Sequence, residues 1–439
     1  MVRTCHIQYD FYQESIVEEQ NQEKDSKSFY INVDETPESI KEFQVQRKAG
    51  SKDDQYKVLQ NDGRKEAVKD DTFKQCSKRV YEATLDKEIY QFRVPLEDIT
   101  SSIHHPEISW TSIARFPEGY VLGDRKGSIY VYDLHWQLQN VMDEAHVDEI
   151  TSLQCFPSGT VLLSSSDDMQ LKLWSLQDGS NPRTFKGHTS SVSDTVLVGR
   201  GRNFVSSGND GCIKLWECGS GTDIHTMARK DNPYDAVNSI ILLDGTSQQS
   251  KQNEQGNSDG HRLEFETQGK EILAAHESGV ITLHDLYGKK EQLQLPNEFM
   301  SACNVVVNNF KVNNYHIFAG YEDGTVAQWD IRSPNHSLSH IRLEGTSNPI
   351  NTMCWSSSKS SNSLYISSGI DTSLKITLGS DQNLLQTTKN QQIPQFLVSE
   401  DYQVSQYLPI PSKEIVQGGN DHAEETVIAV GNRGFISVY

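Results

Sequence analysis

The 439-residue chain has no run of 18 apolar residues, and its opening stretch MVRTCHIQYDFYQE lacks the apolar centre of a secretory signal. A protein without a membrane span, working in the cytoplasm and nucleus, is expected. Cysteine is scarce: the seven residues are odd in number, irregularly spaced and never paired as Cys-x-x-Cys. They read as reduced thiols rather than as a disulfide framework or a structural zinc site. A Gly-x-Ser-x-Gly nucleophile elbow at a strand-to-helix turn is missing, and so is any glycine-rich phosphate cradle. Positive charge is also in deficit. Lys and Arg number 40 against 60 Asp and Glu, a net charge of −20. Residues 1–100 hold 21 acidic and 16 basic side chains, which leaves 60 − 21 = 39 against 40 − 16 = 24, or −15, for the remainder. Such a chain repels a phosphate backbone, so a basic protein partner is expected rather than nucleic acid.

What the sequence does contain is a repeat. It reads Asp-Asp-Met-Gln-Leu-Lys-Leu-Trp at 167–174, Asp-Gly-Cys-Ile-Lys-Leu-Trp at 210–216 and Asp-Gly-Thr-Val-Ala-Gln-Trp-Asp at 323–330. Each copy sets an Asp six residues before a Trp, with apolar residues alternating between them. A turn feeding a half-buried strand, returning at this period, is the pattern of WD repeats, whose four-stranded blades surround a central axis. Weaker copies close at Tyr132, His284, Thr377 and Tyr439. With Trp174, Trp216 and Trp329 they predict an all-β fold, a seven-bladed WD-repeat propeller over residues 96–439. Consecutive closing residues lie 42, 42, 68, 45, 48 and 62 apart. The two long gaps hold the polar stretches 245–268 and 411–424, expected as surface loops.

Residues 1–95 lack the repeat. Strand-like runs at Phe29–Asp34, Glu42–Gln46 and Arg79–Leu85 predict a small β-rich domain. In the repeat register Tyr439 ends the third strand of the seventh blade, leaving its outer position empty. An open edge there would invite aggregation. The alternating run Lys87–Val94 is the expected filler, closing the ring first to last.

One set of residues has the look of chemistry. His188, Ser206 and Asp210 accompany Trp216, and His146, Ser164 and Asp168 accompany Trp174. These are the residue types of a hydrolase triad. A triad is needed once, however, and this set recurs at blade spacing. The reading is a hydrogen-bonded chain from the indole N–H through Ser and His to Asp, which satisfies buried polar groups. No catalytic residue, metal or cofactor is assigned, and no enzymatic activity is expected. What remains is surface. The loops expected on one face of the ring carry Asp143, Glu144, Asp148, Glu149, Asp235, Glu298, Glu322, Glu344 and Asp401, with Tyr321 as an exposed aromatic among them. They are the candidate partner-binding residues. A second reading rests on Trp329-Asp330-Ile331-Arg332, which matches the W-D-x-R box of cullin-4 ubiquitin ligase substrate receptors, although Gln328 stands where that box usually has an apolar residue.

Longer stretches point to one family. FYINVD at 29–34, AHVDEITSLQCFPSG at 145–159 and DMQLKLWSLQDGSNPRTFKGH at 168–188 resemble the fungal WD-repeat chaperone of the proteasome regulatory particle, a relative of the animal proteasomal ATPase-associated factor. So do RGRNFVSSGNDGCIKLWECGSGTDIHT at 200–226, SGVITLHDL at 278–286 and AGYEDGTVAQWDIRSP at 319–334. The resemblance implies a monomeric assembly chaperone of the 19S base of the 26S proteasome. Such a protein binds the C-terminal domain of a base ATPase subunit and leaves before or as the ring docks on the 20S core.

Overall fold

Short alternating runs divided by Asp-Gly turns can bury their apolar side chains only as strands of a sheet. The computed structural model describes residues 2–7, 28–36, 39–47, 56–60, 71–103, 105–244, 263–308, 315–344, 348–357, 362–378, 393–399, 402–410 and 426–439. Among them, seven sheets follow one plan, with antiparallel strands a to d in order from the axis outward. Blade one is Trp110–Phe116, Gly119–Asp124, Ile129–Asp133 and Leu138–Met142. Blades two to six span 150–186, 192–227, 237–295, 303–344 and 350–397, and blade seven takes its first three strands from 404–438. Strand a of each blade packs on strand a of the next, and that of blade seven packs on that of blade one. The sheets thus form a closed ring, a β-propeller.

Burial follows from this arrangement. Strand b lies between neighbouring blades and is buried almost throughout, as in Gly119–Asp124 and Asn203–Gly208. Strand d forms the rim and stays partly exposed, as in Thr222–Met227. The seams are also tied by hydrogen bonds near the axis. Thr111, Thr151, Ser193, Asn238 and Asn304 sit where strand a bulges at its start, and the bulge turns each polar side chain across the seam. They donate to the carbonyls of Ile150, Val192, Val237, Cys303 and Ile350, the first strand-a residue of the next blade, at 2.5–3.1 Å.

Ring closure differs from the sequence expectation. The strand that completes blade seven is Glu97–Asp98, antiparallel to Ile436–Val438 with Ser437 opposite Asp98 and Val438 opposite Glu97. Flanking bonds run from the Leu96 N–H to the Val438 carbonyl (2.6 Å) and from the Ile99 N–H to the Ile436 carbonyl (3.0 Å). The run Lys87–Val94 does not close the ring. Its strand, Glu88–Arg93, is folded back onto Val80–Leu85 by Asp86 and Lys87, both at positive φ, the backbone of a tight two-residue hairpin. Its other edge pairs in parallel with Gln395–Leu397, the rim strand of blade six. A run committed to its own hairpin is unavailable to blade seven, which takes the next extended segment instead.

The rest of the N-terminal region forms a sheet of Cys5–Ile7, Ser28–Thr36, Ser39–Arg47 and Tyr56–Gln60. Val2–Arg3 joins it to the ring by pairing in parallel with Leu343–Glu344 of blade five. Phe73 meets Phe29 and Tyr56 edge-on at 5.3 and 5.0 Å, and this apolar cluster is continuous with blades five, six and seven. Of the two long insertions, 245–262 and 411–424 lie outside the described residues. The end of the first is anchored rather than loose. Asn203 donates to the Leu263 carbonyl (3.0 Å) and accepts from the Phe265 N–H (2.6 Å), and the Arg202 guanidinium stacks over the Phe265 ring.

The last residue seals the seventh blade. The Tyr439 hydroxyl, fully buried, donates to the Val398 carbonyl at 2.6 Å, and its backbone pairs both ways with Val427. Tyr439→Phe should lower stability in urea denaturation by about 1 kcal/mol, because it leaves a buried carbonyl unpaired. Deleting 436–439 should abolish cooperative unfolding altogether.

Candidate interaction surface on one face of the ring

Alternating strand direction sends the b–c turns and d–a loops of every blade to the same end. A recurring bond fixes this. In all seven blades the N–H of a b–c turn residue donates to the carbonyl of the d–a loop before it, at 2.9–3.1 Å. The pairs are Arg125 to Ser109, Asp167 to Glu149, Asn209 to Ser191, Glu277 to Ala236, Glu322 to Ala302, Gly369 to Pro349 and Asn432 to Gln403. Among the described residues, turn and loop are thus held together by a backbone bond in every blade.

Below this face lie the triad-like sets, and each is an internal strut. In blade three the Trp216 indole donates to Ser206 Oγ (2.8 Å), which meets His188 Nε2 (2.7 Å), whose Nδ1 meets Asp210 (3.0 Å). Blade two repeats this with Trp174, Ser164, His146 and Asp168 at 2.9, 2.7 and 2.9 Å. Burial works against the Asp210 charge, yet the bonds from His188 and the Thr189 N–H outweigh it and hold the carboxyl at about 2. Each hydroxyl is engaged by an indole N–H on one side and an imidazole on the other, so the sets pin a d–a loop to strands b and c.

Blade four builds a variant that the sequence reading missed. His276 Nε2 and His284 Nε2 both meet the Thr282 hydroxyl, at 2.8 and 2.9 Å. The visible signal was a histidine in the closing position where blades two, three and five have Trp. Burial lowers His276 and brings His284 down to about 4. Blade five is apolar at the same place. Phe299 lies four residues before strand a, where blades two and three have His146 and His188, and its ring packs at 4.7 Å from that of Tyr321.

This bears on the residues expected at the surface. Tyr321 is not an exposed aromatic: it is fully buried beneath Phe299. Asp235 is buried too, because Arg229 (2.7 Å) and the Ser278 hydroxyl (2.6 Å) and N–H (3.0 Å) draw it into the fold. Glu298 is turned toward the loop before the rim strand of blade five, where it accepts from the Ser337 hydroxyl (2.7 Å) and meets His336 Nδ1 (2.8 Å). Glu344 ends that rim strand, its side chain outside the described residues, and Asp401 lies outside them altogether.

The remaining candidates lie on the loop face. Asp143, Glu144 and Asp148 are exposed in the loop from blade one to blade two, and Glu322 is exposed on the b–c turn of blade five. Glu149, half-buried, accepts from Arg125 Nε at 3.0 Å. Burial pushes Glu149 up, with Asp167 and Asp148 adding to it against Arg125, and Asp167 is pushed up by burial and by Asp148 and Asp168. Carboxylates crowded enough to raise one another make a negative field that a cation would relieve. Arg332, by contrast, is engaged within its own blade: its guanidinium forks onto Asp330 (Nε to Oδ1, 2.9 Å) and stacks over Tyr315.

Two variants test the buried networks. Ser206→Ala should destabilise blade three by about 1–3 kcal/mol in chemical denaturation, since it strands both an indole N–H and an imidazole. His284 titrates near 6.5 in the unfolded chain and at about 4 when folded, so the unfolded state binds the extra proton between those values. Stability should therefore be complete above pH 6.5 and fall on acidification toward pH 4, by up to about 3 kcal/mol from this group. His284→Phe should flatten that part of the denaturation-against-pH curve.

The profile of the WD domain, G-beta repeat, matches residues 136–175 and 179–217. Eukaryotic translation initiation factor 3 subunit I of Neurospora crassa is 23% identical over 57% of this chain and 66% of its own length. Pre-mRNA-processing factor 17 of Mus musculus is 35% identical, but over 20% of this chain and 16% of its own. These are relations of the repeat. A relation of the whole chain is of another order: the 26S proteasome regulatory subunit RPN14 of Saccharomyces cerevisiae is 40% identical over 100% of this chain and 98% of its own length. N-terminal sheet, ring and insertions are all included in that match, and the chain belongs to the family of WD-repeat 26S proteasome regulatory subunits that RPN14 represents.

Proposed function

We propose that this protein is an assembly chaperone for the base of the 19S regulatory particle. On this reading it holds the C-terminal domain of a base ATPase subunit against the acidic loop face and keeps that subunit off the 20S core until assembly is complete. The observation that carries the proposal is the full-length match to a 26S proteasome regulatory subunit. The acidic cluster at blades one and two supports it, because a negative field attracts a basic domain and speeds its capture.

The protein acts by binding alone, as a monomer, in the cytoplasm and nucleus. A rigid ring laid over a small domain excludes whatever else would contact the covered surface, so chaperone binding and 20S docking compete. An interface of roughly 1,200–2,000 Å² in total is enough for a specific but reversible complex.

Association with purified base ATPase subunits tests this. Wild-type protein should bind at least one of them, and 20S core particles should displace it or be excluded by it. Simultaneous full docking of core and chaperone on one ATPase would sink the proposal. Asp148→Lys combined with Glu149→Lys should slow association about tenfold or more at low salt while leaving the melting temperature within a few degrees, because rim charges act mainly on the on-rate. The difference from wild type should shrink as salt is raised.

A further inference from the structure

We infer that the loop face grips its partner through five exposed apolar side chains set among its carboxylates, Val147, Met169, Tyr234, Met300 and Ile370. The partner surface they fit is that of a folded basic domain carrying apolar side chains between its cations. This rests on the function proposed above and adds what charge alone does not supply.

The first ground is location. Among the described residues the four most exposed large apolar side chains are Met300 at 95%, Val147 at 87%, Tyr234 at 85% and Ile370 at 73%. All four lie on d–a loops or b–c turns, spread from blade two to blade six. Single exposed apolar residues are ordinary, and less exposed ones such as Ile40, Leu96 and Leu138 lie on the N-terminal region and the outer strands, but none of these reaches the exposure of the four on this face.

The second ground is backbone strain. The b–c turns of blades one, three, four and five share one geometry, in which Gly127, Gly211, Gly279 and Gly324 take φ between +76 and +84° and donate to the carbonyl three residues earlier. Blade two makes the same turn, from the Met169 N–H to the Ser166 carbonyl, but with a methionine at φ +66°. A non-glycine residue is disfavoured there. The side chain gains little from the fold in return, since it is 45% exposed. Met300 repeats the pattern, with φ +52° and almost complete exposure. Methionine is also an adaptable contact residue, able to fit an irregular surface.

The third ground is charge complementarity. Asp143, Glu144, Asp148 and Glu322 are exposed on the same face, so an acidic partner or an anionic surface would be repelled. A basic domain would be drawn in by these carboxylates and then held by the apolar contacts, which salt does not screen. The two kinds of residue divide the work: carboxylates set the on-rate and apolar side chains the off-rate.

The test measures binding of wild type, Met169→Gly and the double variant Tyr234→Ala with Met300→Ala to isolated base ATPase subunits, at low and moderate salt, alongside melting temperature. Met169→Gly should hold or raise the melting temperature, because it relieves the turn, yet dissociate about tenfold faster, a loss equivalent to about 1.4 kcal/mol. The double variant should dissociate faster too, and in both the salt dependence of association should match wild type. Binding by both variants that equals wild type, while Asp148→Lys with Glu149→Lys loses it, would overturn this inference and leave the proposed function standing. If wild-type protein binds none of the base ATPase subunits, the proposed function falls and this inference falls with it.

Discussion

Everything in this molecule depends on the ring being closed. Each blade offers two broad apolar faces, and strand b is buried because a neighbouring blade lies on both sides of it. Remove one contact in the circle and two such faces meet water. The hydrogen bonds that cross the seams at Thr111, Thr151, Ser193, Asn238 and Asn304 place five ties close to the axis, where the blades are narrowest and small misalignments would be amplified toward the rim. Closure itself hangs on a two-residue strand, Glu97–Asp98, reinforced by the mutual bonding of Thr100 and Ile436.

A frame so constrained separates structure from function. The residues with the strongest chemical appearance, His188 with Ser206 and Asp210, are turned inward and consumed by internal bonding. The exposed carboxylates Asp143, Glu144, Asp148 and Glu322, by contrast, are on loops that need only stay in place. Every one of the seven b–c turns is tied to its neighbouring loop by a backbone bond, to which side chains such as Asp210 and Asp235 add. Exposed side chains on this face, unlike the buried struts, can therefore change without loosening that backbone tie.

How much of this was legible in the sequence varies with the range of the interactions. An Asp six residues before Trp marks a turn and a strand within one short window, so blades two, three and five could be read directly. The Ser and His of the struts recur at fixed offsets from that Trp and were legible as well. Glu97–Asp98 was not, since two residues carry no periodicity and its neighbour Glu88–Arg93 alternates far better. Tyr321 and Asp235 were misplaced for a different reason. Both sit beside acidic loop residues in sequence, but their burial is decided by Phe299, Arg229 and Ser278, the last of them 43 positions from Asp235. Met169 was visible throughout as Asp-Asp-Met where other copies read Asp-Gly. It is the one departure from the repeat whose meaning needed the backbone angle.

Thr100 and Ile436 meet across 336 positions of chain. On a ribosome, six blades can be synthesised before the partner of Glu97–Asp98 exists. The entropic cost of joining such distant segments rises only slowly with their separation, so it is order of appearance, more than free energy, that delays the event. Until residues 436–438 emerge, the nascent chain is an arc with two unsatisfied ends rather than a shorter ring. The loops of the face that carries the b–c turns, contributed by blades far apart along the chain, reach their final mutual spacing at that moment and not by degrees.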